Sequence, residues 1–288
     1  MPNFAIVDSH VHFWDPARVP LTWLAGVPAL ARPILPADLA AAQGPVAVDR
    51  LVFVEADVAP GRHLDEARWV ASLTAVEPRL GAIVAHAPLE QGAAVEPDLA
   101  ALAAMPLVRG VRRLLQGEPD DAFCLRPGFV EGVRLLARHG LHGEICIYHR
   151  QLAAAVELAR RCPDTRLVLD HIGKPGIRDG LWQPWAAGIR ALAELPNTVC
   201  KLSGLVTEAD HAAWTPEQLR PYIEHVVACF GFDRLLFGSD WPVLSLASTY
   251  PRWVATLDAA LAGASEAELR RLYRDNALAY YRLEDTKA

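Results

Sequence analysis

Eight short runs rich in Val, Ile and Leu recur along the chain, separated by stretches of helical spacing. No other feature of the sequence narrows the fold as much. The runs lie at 4–11, 50–56, 80–87, 108–115, 143–148, 166–170, 198–202 and 234–238. Helical patterns fill the gaps at 36–43, 61–76, 96–104, 126–139, 151–161, 182–195 and 216–230, with a final pair at 250–262 and 265–281. Within 61–76, Leu64, Ala67, Trp69, Val70 and Leu73 form one apolar stripe. Within 126–139, Val130, Val133, Leu136 and Ala137 do the same before Gly140, a residue suited to ending a helix. Strands alternating with helices specify parallel βα units. Eight of them in 288 residues match a single closed (β/α)8 TIM-type barrel occupying 1–288 as one domain. An open doubly wound sheet usually has fewer strands, and no Gly-rich phosphate loop follows any run. Residues 14–36, with five prolines and two tryptophans, form the one long irregular stretch, which reads as a wall of an active site.

Composition excludes several function classes. At 52% hydrophobic and 22% charged residues, the chain lies far from the regime of disorder. A net charge of −6 with scattered basic residues lacks the footprint of a nucleic-acid binder. No apolar run approaches the roughly 20 residues that a membrane span requires. The N-terminus meets Asp8 too early and lacks the basic start of a signal peptide, so a soluble, cytoplasmic protein with a small-molecule partner is expected. Five widely spaced cysteines without a C-x-x-C pair read as reduced, buried thiols.

Chemistry in such a barrel sits at the C-terminal ends of the strands. The first run ends in Asp8-Ser9-His10-Val11-His12, and strand alternation puts His10 and His12 on one face, roughly 7 Å apart in Cα, where both can meet one ion. The sixth ends in Leu167-Val168-Leu169-Asp170-His171, and the same parity groups His171 with Leu167 and Leu169, facing the lumen. The eighth, Leu235-Leu236-Phe237-Gly238-Ser239-Asp240, delivers Asp240 on the face of Leu236 and Gly238. Taken singly, each is an ordinary polar residue at a loop. Three histidines and a carboxylate aimed at one barrel mouth form a site.

Four blocks carry a family resemblance: Asp8-Ser9-His10-Val11-His12-Phe13-Trp14, Leu169-Asp170-His171-Ile172-Gly173-Lys174-Pro175, Cys200-Lys201-Leu202-Ser203-Gly204-Leu205 and Phe237-Gly238-Ser239-Asp240-Trp241-Pro242-Val243. Together they resemble the amidohydrolase superfamily (amidohydrolase-related family 2), in its sugar-lactonase branch of L-fuconolactonases and L-rhamnonolactonases, with 2-pyrone-4,6-dicarboxylate lactonases as cousins. The resemblance covers nearly the whole chain. It implies a distorted (β/α)8 barrel that hydrolyses a cyclic ester, with His10, His12, His171 and Asp240 as metal ligands. The fourth strand, ending in Arg112-Arg113-Leu114, offers neither the lysine nor the glutamate that bridges two ions in the superfamily. One divalent cation, zinc by the nature of its ligands, is therefore the ceiling, and the branch has members that work without a tightly bound metal.

Lactone hydrolysis needs an activated water, stabilisation of the oxyanion and a proton for the departing alkoxide. Asp240 is the expected base. His10, His12 and His171 either hold the ion or bind the substrate carbonyl directly. His149, closing the fifth strand where the superfamily often has a histidine, is a further catalytic candidate. Arg112 and Arg113 are candidates for the substrate, with parity sending only one to the pocket. Glu55 and His86 sit at the same barrel level, and Trp14 and Trp241 suit stacking on a sugar ring. Lys201 would need a carboxylate such as Asp8 and reads as structural. A dicarboxylate pyrone needs two cations, so a neutral sugar lactone is expected, with Glu55 accepting from a hydroxyl. A decarboxylase of the same superfamily is the rival enzyme. A non-catalytic binding barrel would require losing one of the four residues of the site, and all four are present.

Overall fold

The computed structural model describes residues 2–283. Its eight strands are β1 (Ile6–Val11), β2 (Val48–Val54), β3 (Leu80–Ala85), β4 (Val108–Arg112), β5 (His142–Ile145), β6 (Leu167–Leu169), β7 (Thr198–Leu202) and β8 (Leu235–Phe237). Each pairs with the next in chain order, and every pairing is parallel. The crossovers carry helices α1 (Pro36–Ala42), α2 (His63–Ser72), α3 (Glu96–Ala103), α4 (Pro127–Arg138), α5 (Leu152–Arg161), α6 (Trp185–Ala193) and α7 (Pro216–Phe230). They are followed by α8 (Tyr250–Ala260), α9 (Glu266–Arg270) and α10 (Asn276–Tyr281). The expected (β/α)8 barrel is the observed fold. No helix among the described residues is long and apolar enough to cross a membrane.

Boundaries moved where backbone chemistry overrides the apolar pattern. The sixth crossover helix starts at Trp185, because Pro184 takes its N-cap position. The long C-terminal pattern is not one helix: a π-helical turn over Arg271–Asp275 separates α9 from α10.

Strand alternation sorts the core into two layers. Leu51, Phe53, Leu167, Leu169, Leu235 and Phe237 pack outward in the large layer shared with the helices. Val7, Val52, Val54, Val84, Val168 and Leu236 fill the lumen, which Tyr280 and Tyr281 of α10 close from below. The lower barrel is thus a mostly apolar plug, with His142 packed on Tyr280 and Tyr281 as its polar exception.

Closure is where the barrel departs from regularity. Instead of a full β8–β1 ladder, Val11 forms an isolated bridge with Trp241. Beside it the His12 amide donates to the Trp241 carbonyl at 2.8 Å and the Asp240 amide to the His10 carbonyl at 2.9 Å. The seam therefore lies just beyond the strands and sets His10, His12 and Asp240 side by side.

Residues 14–36 fold over the upper rim. The Trp14 indole donates to the Leu30 and Arg32 carbonyls, Trp23 donates to Ala56 at 2.8 Å, and the two indoles meet edge to face.

On the outer layer, α4 lies against the turn after β3 so closely that a Cβ on Gly132 would stand 2.9 Å from the Leu89 carbonyl carbon and closer still to its oxygen. Alanine ordinarily favours a helix interior over glycine by about 1 kcal/mol. Here the backbone cannot yield, so Gly132→Ala should destabilise by about 1–3 kcal/mol. A urea midpoint that rises on substitution would contradict this packing.

Candidate active site

Three imidazoles surround one carboxylate at the barrel mouth. Asp240 Oδ1 lies 3.4 Å from His12 Nε2, 3.7 Å from His10 Nε2 and 3.8 Å from His171 Nε2. His12 Nδ1 is 2.7 Å from the Val54 carbonyl; a carbonyl only accepts, so Nδ1 carries the hydrogen and Nε2 offers a lone pair. His171 Nδ1 meets Ser203 Oγ at 2.9 Å, which fixes its ring.

His171 does not arrive by strand parity. Leu167 and Leu169 face the helices, and β6 has ended before the histidine. A left-handed backbone turn at His171, Ile172 and Lys174, with φ of 53°, 50° and 45°, swings His171 toward Asp240, itself at φ 61°. Four non-glycine residues in this region mark a backbone held in place by its surroundings. Glycine makes room for the rings: a Cβ on Gly204 would lie 2.5 Å from His171 Nδ1, and one on Gly238 2.7 Å from His10 Cβ.

Beneath the imidazoles runs a fully buried ionic layer. Arg112 Nε donates to Glu55 at 2.7 Å and Nη1 to Asp170 at 3.1 Å. Lys201 Nζ binds Glu144 at 2.5 Å and Asp170 at 3.2 Å. Glu144 also accepts from the Tyr281 hydroxyl at 2.7 Å. His10 is wedged between the two cations, 3.3 Å from Arg112 on Nε2 and 3.3 Å from Lys201 on Nδ1.

Burial, reinforced at His10 by Lys201, holds His10 and His171 well below the ordinary imidazole value. Both are neutral at neutral pH and have lone pairs to give. Burial alone would raise Asp240, yet His171, His12 and Lys174 outweigh it and keep the carboxyl below the usual carboxylate range. Asp240 is therefore ionised at neutral pH, the form that accepts a proton.

Above this cluster opens a cavity of about 210 Å³, lined by His12, Arg112, His171, Lys174 and Asp240 with Trp14 and Trp23 among its walls. The donor sets His10–His12–Asp240 and His10–Asp170–His171 each bring their ligand atoms within 4.8 Å of one another. Imidazole nitrogens with a carboxylate oxygen fit a divalent cation such as zinc.

A family profile described as Amidohydrolase matches residues 7–283. The chain belongs to that family. It is 33% identical over 285 residues to an L-fucono-1,5-lactonase of Burkholderia ambifaria, covering 96% of each chain. It is 36% identical over 261 residues to an L-fucono-1,5-lactonase of Burkholderia multivorans, covering 85% of this chain and 84% of the relative. An amidohydrolase of Burkholderia multivorans, crystallised with bound zinc, superimposes with a TM-score of 0.86 at 33% identity, over 98% of this chain and 100% of that one.

Several residues expected at the site of this amidohydrolase lie elsewhere. Arg113 points away, as alternation requires, to Glu90 and Glu118 and over the Phe123 ring. Glu55 is buried and committed to Arg112 and to the Asp57 amide, so it has no oxygen to spare for a sugar hydroxyl. His86 stands edge to face with His63 at a neighbouring cavity. His149 is half-buried in the turn after β5, its Nδ1 on the Lys174 carbonyl, and the cavity wall from β5 is Cys146 instead. Trp241 is held by the closure bridge and packs on Phe13, outside the cavity lining. Asp8 is no partner of Lys201. It accepts from the Ser239 amide at 2.9 Å and the Tyr250 hydroxyl at 2.9 Å, tying β1 to the loop after β8 and to α8.

Sequence reasoning misses Asp170 and Glu144 as site residues and leaves the direction of Lys174 open. Asp170 had a signal in its two-residue spacing from Val168, which places both on the lumen face. Lys174 had none, because its direction depends on the left-handed turn.

Removing one ion from a buried pair strands its partner. Lys201→Met should therefore lower stability by about 3–5 kcal/mol, as Glu144 and Asp170 lose their shared cation. Denaturant titration showing a loss below about 1 kcal/mol would mean that the layer does not depend on this lysine.

Proposed function

We propose that this amidohydrolase opens lactones, with a neutral sugar lactone as its preferred substrate. The observation that carries the reading is a lone ionised carboxylate, Asp240, ringed by imidazole Nε2 atoms at the floor of a small cavity with indoles in its wall. The relatives named as L-fucono-1,5-lactonases support it.

Asp240 takes a proton from water as the water oxygen bonds to the lactone carbonyl carbon. Arg112 and Lys174, both lining the cavity, oppose the negative charge that develops on the carbonyl oxygen. Collapse breaks the bond from carbonyl carbon to ring oxygen, and Asp240 returns its proton to the departing alkoxide. The product is a hydroxy acid that ionises, so each turnover releases one proton. His10, His12, His171 and Asp240 would hold a single divalent cation, zinc by donor chemistry. When bound, that ion would polarise the carbonyl and make a nearby water more acidic.

Charge favours a neutral substrate. Arg112 is matched by Glu55 and Asp170, and Lys174 by Glu208 at 3.4 Å. A 2-pyrone-4,6-dicarboxylate would find two cations in the wall, which is the observation favouring that second reading, but both already have carboxylate partners. The hydroxyl acceptor once expected of Glu55 passes to Asp57, which lines the cavity and whose carboxylate makes no hydrogen bond or ion pair among the described residues.

A pH-indicator screen of aldonolactones and the pyrone dicarboxylate, with and without chelator, should show acid release from aldonolactones above all. Acid release from none would end the lactonase reading, and faster turnover of the pyrone would end the neutral-substrate reading. Asp240→Asn should fold normally yet lose at least about 100-fold in kcat, the lower bound for general acid–base catalysis. Elemental analysis should find no more than one transition-metal ion per chain, because β4 ends in Arg112 and supplies no lysine or glutamate to bridge a pair. Two equivalents would contradict it.

A further inference from the structure

Beside the catalytic cavity, among the loops after β2, β3 and β4, lies a chamber of about 640 Å³, roughly three times as large. Asp57 and Leu114 line both spaces. We propose that the two form one substrate groove, and that the outer chamber takes a second sugar unit attached to the lactone ring. The enzyme would then act on aldobionolactones, lactones that carry a glycosidically linked pyranose. This inference rests on the lactonase reading.

Topology supplies the direction. Strands run in chain order around the barrel, so the loop after β4 stands across the mouth from the loop after β8. Asp240 leaves β8 and Leu114 follows β4. In a six-membered aldonolactone the C4 atom lies across the ring from the reacting C1 carbonyl. With C1 at Asp240, a substituent on O4 exits toward Leu114 and Asp57, where the outer chamber begins.

Charge supplies the ligand class. Arg113 is the guanidinium of the chamber, and it is neutralised by Glu90 and Glu118. His63 is paired with Asp98 at 3.1 Å. Burial keeps His86 below the ordinary imidazole value, so it serves as a neutral donor and acceptor. No uncommitted cation remains among the described lining residues to receive a phosphate or a carboxylate, and the Asp57 carboxylate, without a hydrogen bond among them, stands as an acceptor. Such a lining suits neutral hydroxyls.

Asp57 itself is held at φ 53°, a left-handed backbone conformation unusual outside glycine. Its amide donates to Glu55 at 2.8 Å, so the same carboxylate that anchors Arg112 fixes the turn. A strained residue locked by the catalytic floor and shared by two cavities is placed to read the junction between two sugar rings.

The test compares kcat/KM for a single-ring aldonolactone with that for the matched aldobionolactone substituted on O4. The wild type should process the two-ring substrate at least as efficiently as the single ring. Gln91→Trp places bulk in the chamber at a wall position whose side chain makes no hydrogen bond. It should lower kcat/KM for the two-ring lactone at least tenfold and leave the single-ring value within twofold. Pro60→Trp, from a different loop of the same chamber, carries the same expectation should the first variant not fold. Tenfold discrimination by the wild type against the two-ring substrate, or an equal effect of the bulky variants on both substrates, overturns the inference while leaving the lactonase reading intact. Failure to turn over either substrate overturns the lactonase reading itself.

Discussion

Everything at the barrel mouth rests on the buried ionic layer formed by Arg112 and Lys201 with Glu55, Glu144 and Asp170. Its members come from β4, β5 and β7 and from the ends of β2 and β6, so it ties together five of the eight strand positions, those of β4 to β7 and, across β3, that of β2. Buried ion pairs add little net stability over well-packed apolar residues, because desolvation offsets their attraction. What they do supply is geometry. Each cation has two carboxylate partners, so neither Arg112 nor Lys201 can shift without stranding a charge, and His10, touching both, inherits their fixed position.

The layer also explains the division of the lumen. Below it the barrel is filled by Val, Ala and Leu side chains with His142 among them, and sealed by Tyr280 and Tyr281. Above it lie the imidazoles, Asp240 and the cavity. Tyr281 spans the boundary, with its ring in the plug and its hydroxyl on Glu144. An apolar floor without that bond would leave a Glu144 oxygen with His142 alone for company. The C-terminal helix therefore does more than cap the barrel: it completes the hydrogen bonding of the ions on which the site stands.

Much of this was legible in the sequence, for a physical reason. Eight apolar runs separated by helical stripes leave few architectures other than a parallel barrel, and β7 and α7 occupy the very residues that their patterns indicate. His10, His12, His171 and Asp240 were legible as a group because barrel chemistry gathers at strand ends. The route taken by His171 was not, because parity holds only while the backbone stays extended. The left-handed turn at His171–Lys174 breaks it, and nothing in Ile172 or Lys174, neither of them glycine, announces such a turn. Glu55, Arg113, His86, His149 and Trp241 were drawn toward the pocket by position alone. Each was decided instead by a partner remote in sequence, as Glu55 was by Arg112 and Trp241 by Val11.

That commitment of partners also underlies the proposed substrate choice. A barrel mouth with Arg112, Lys174 and three histidines looks, by residue type, like a site for an anion. The pairing reverses this impression. Glu55 and Asp170 hold Arg112, Glu208 holds Lys174, and burial keeps His10 and His171 uncharged. The positive charges already have carboxylate partners before any ligand arrives. An anionic ligand would have to compete with carboxylates already at bonding distance, in a site where desolvation makes every unmatched charge expensive. A neutral sugar needs no such exchange: a hydroxyl can donate to Asp57 and the ring can stack its carbon face on Trp14 or Trp23 while the ion pairs stay whole. The proposed preference for neutral polyols thus rests on how the floor of the barrel balances its own charge.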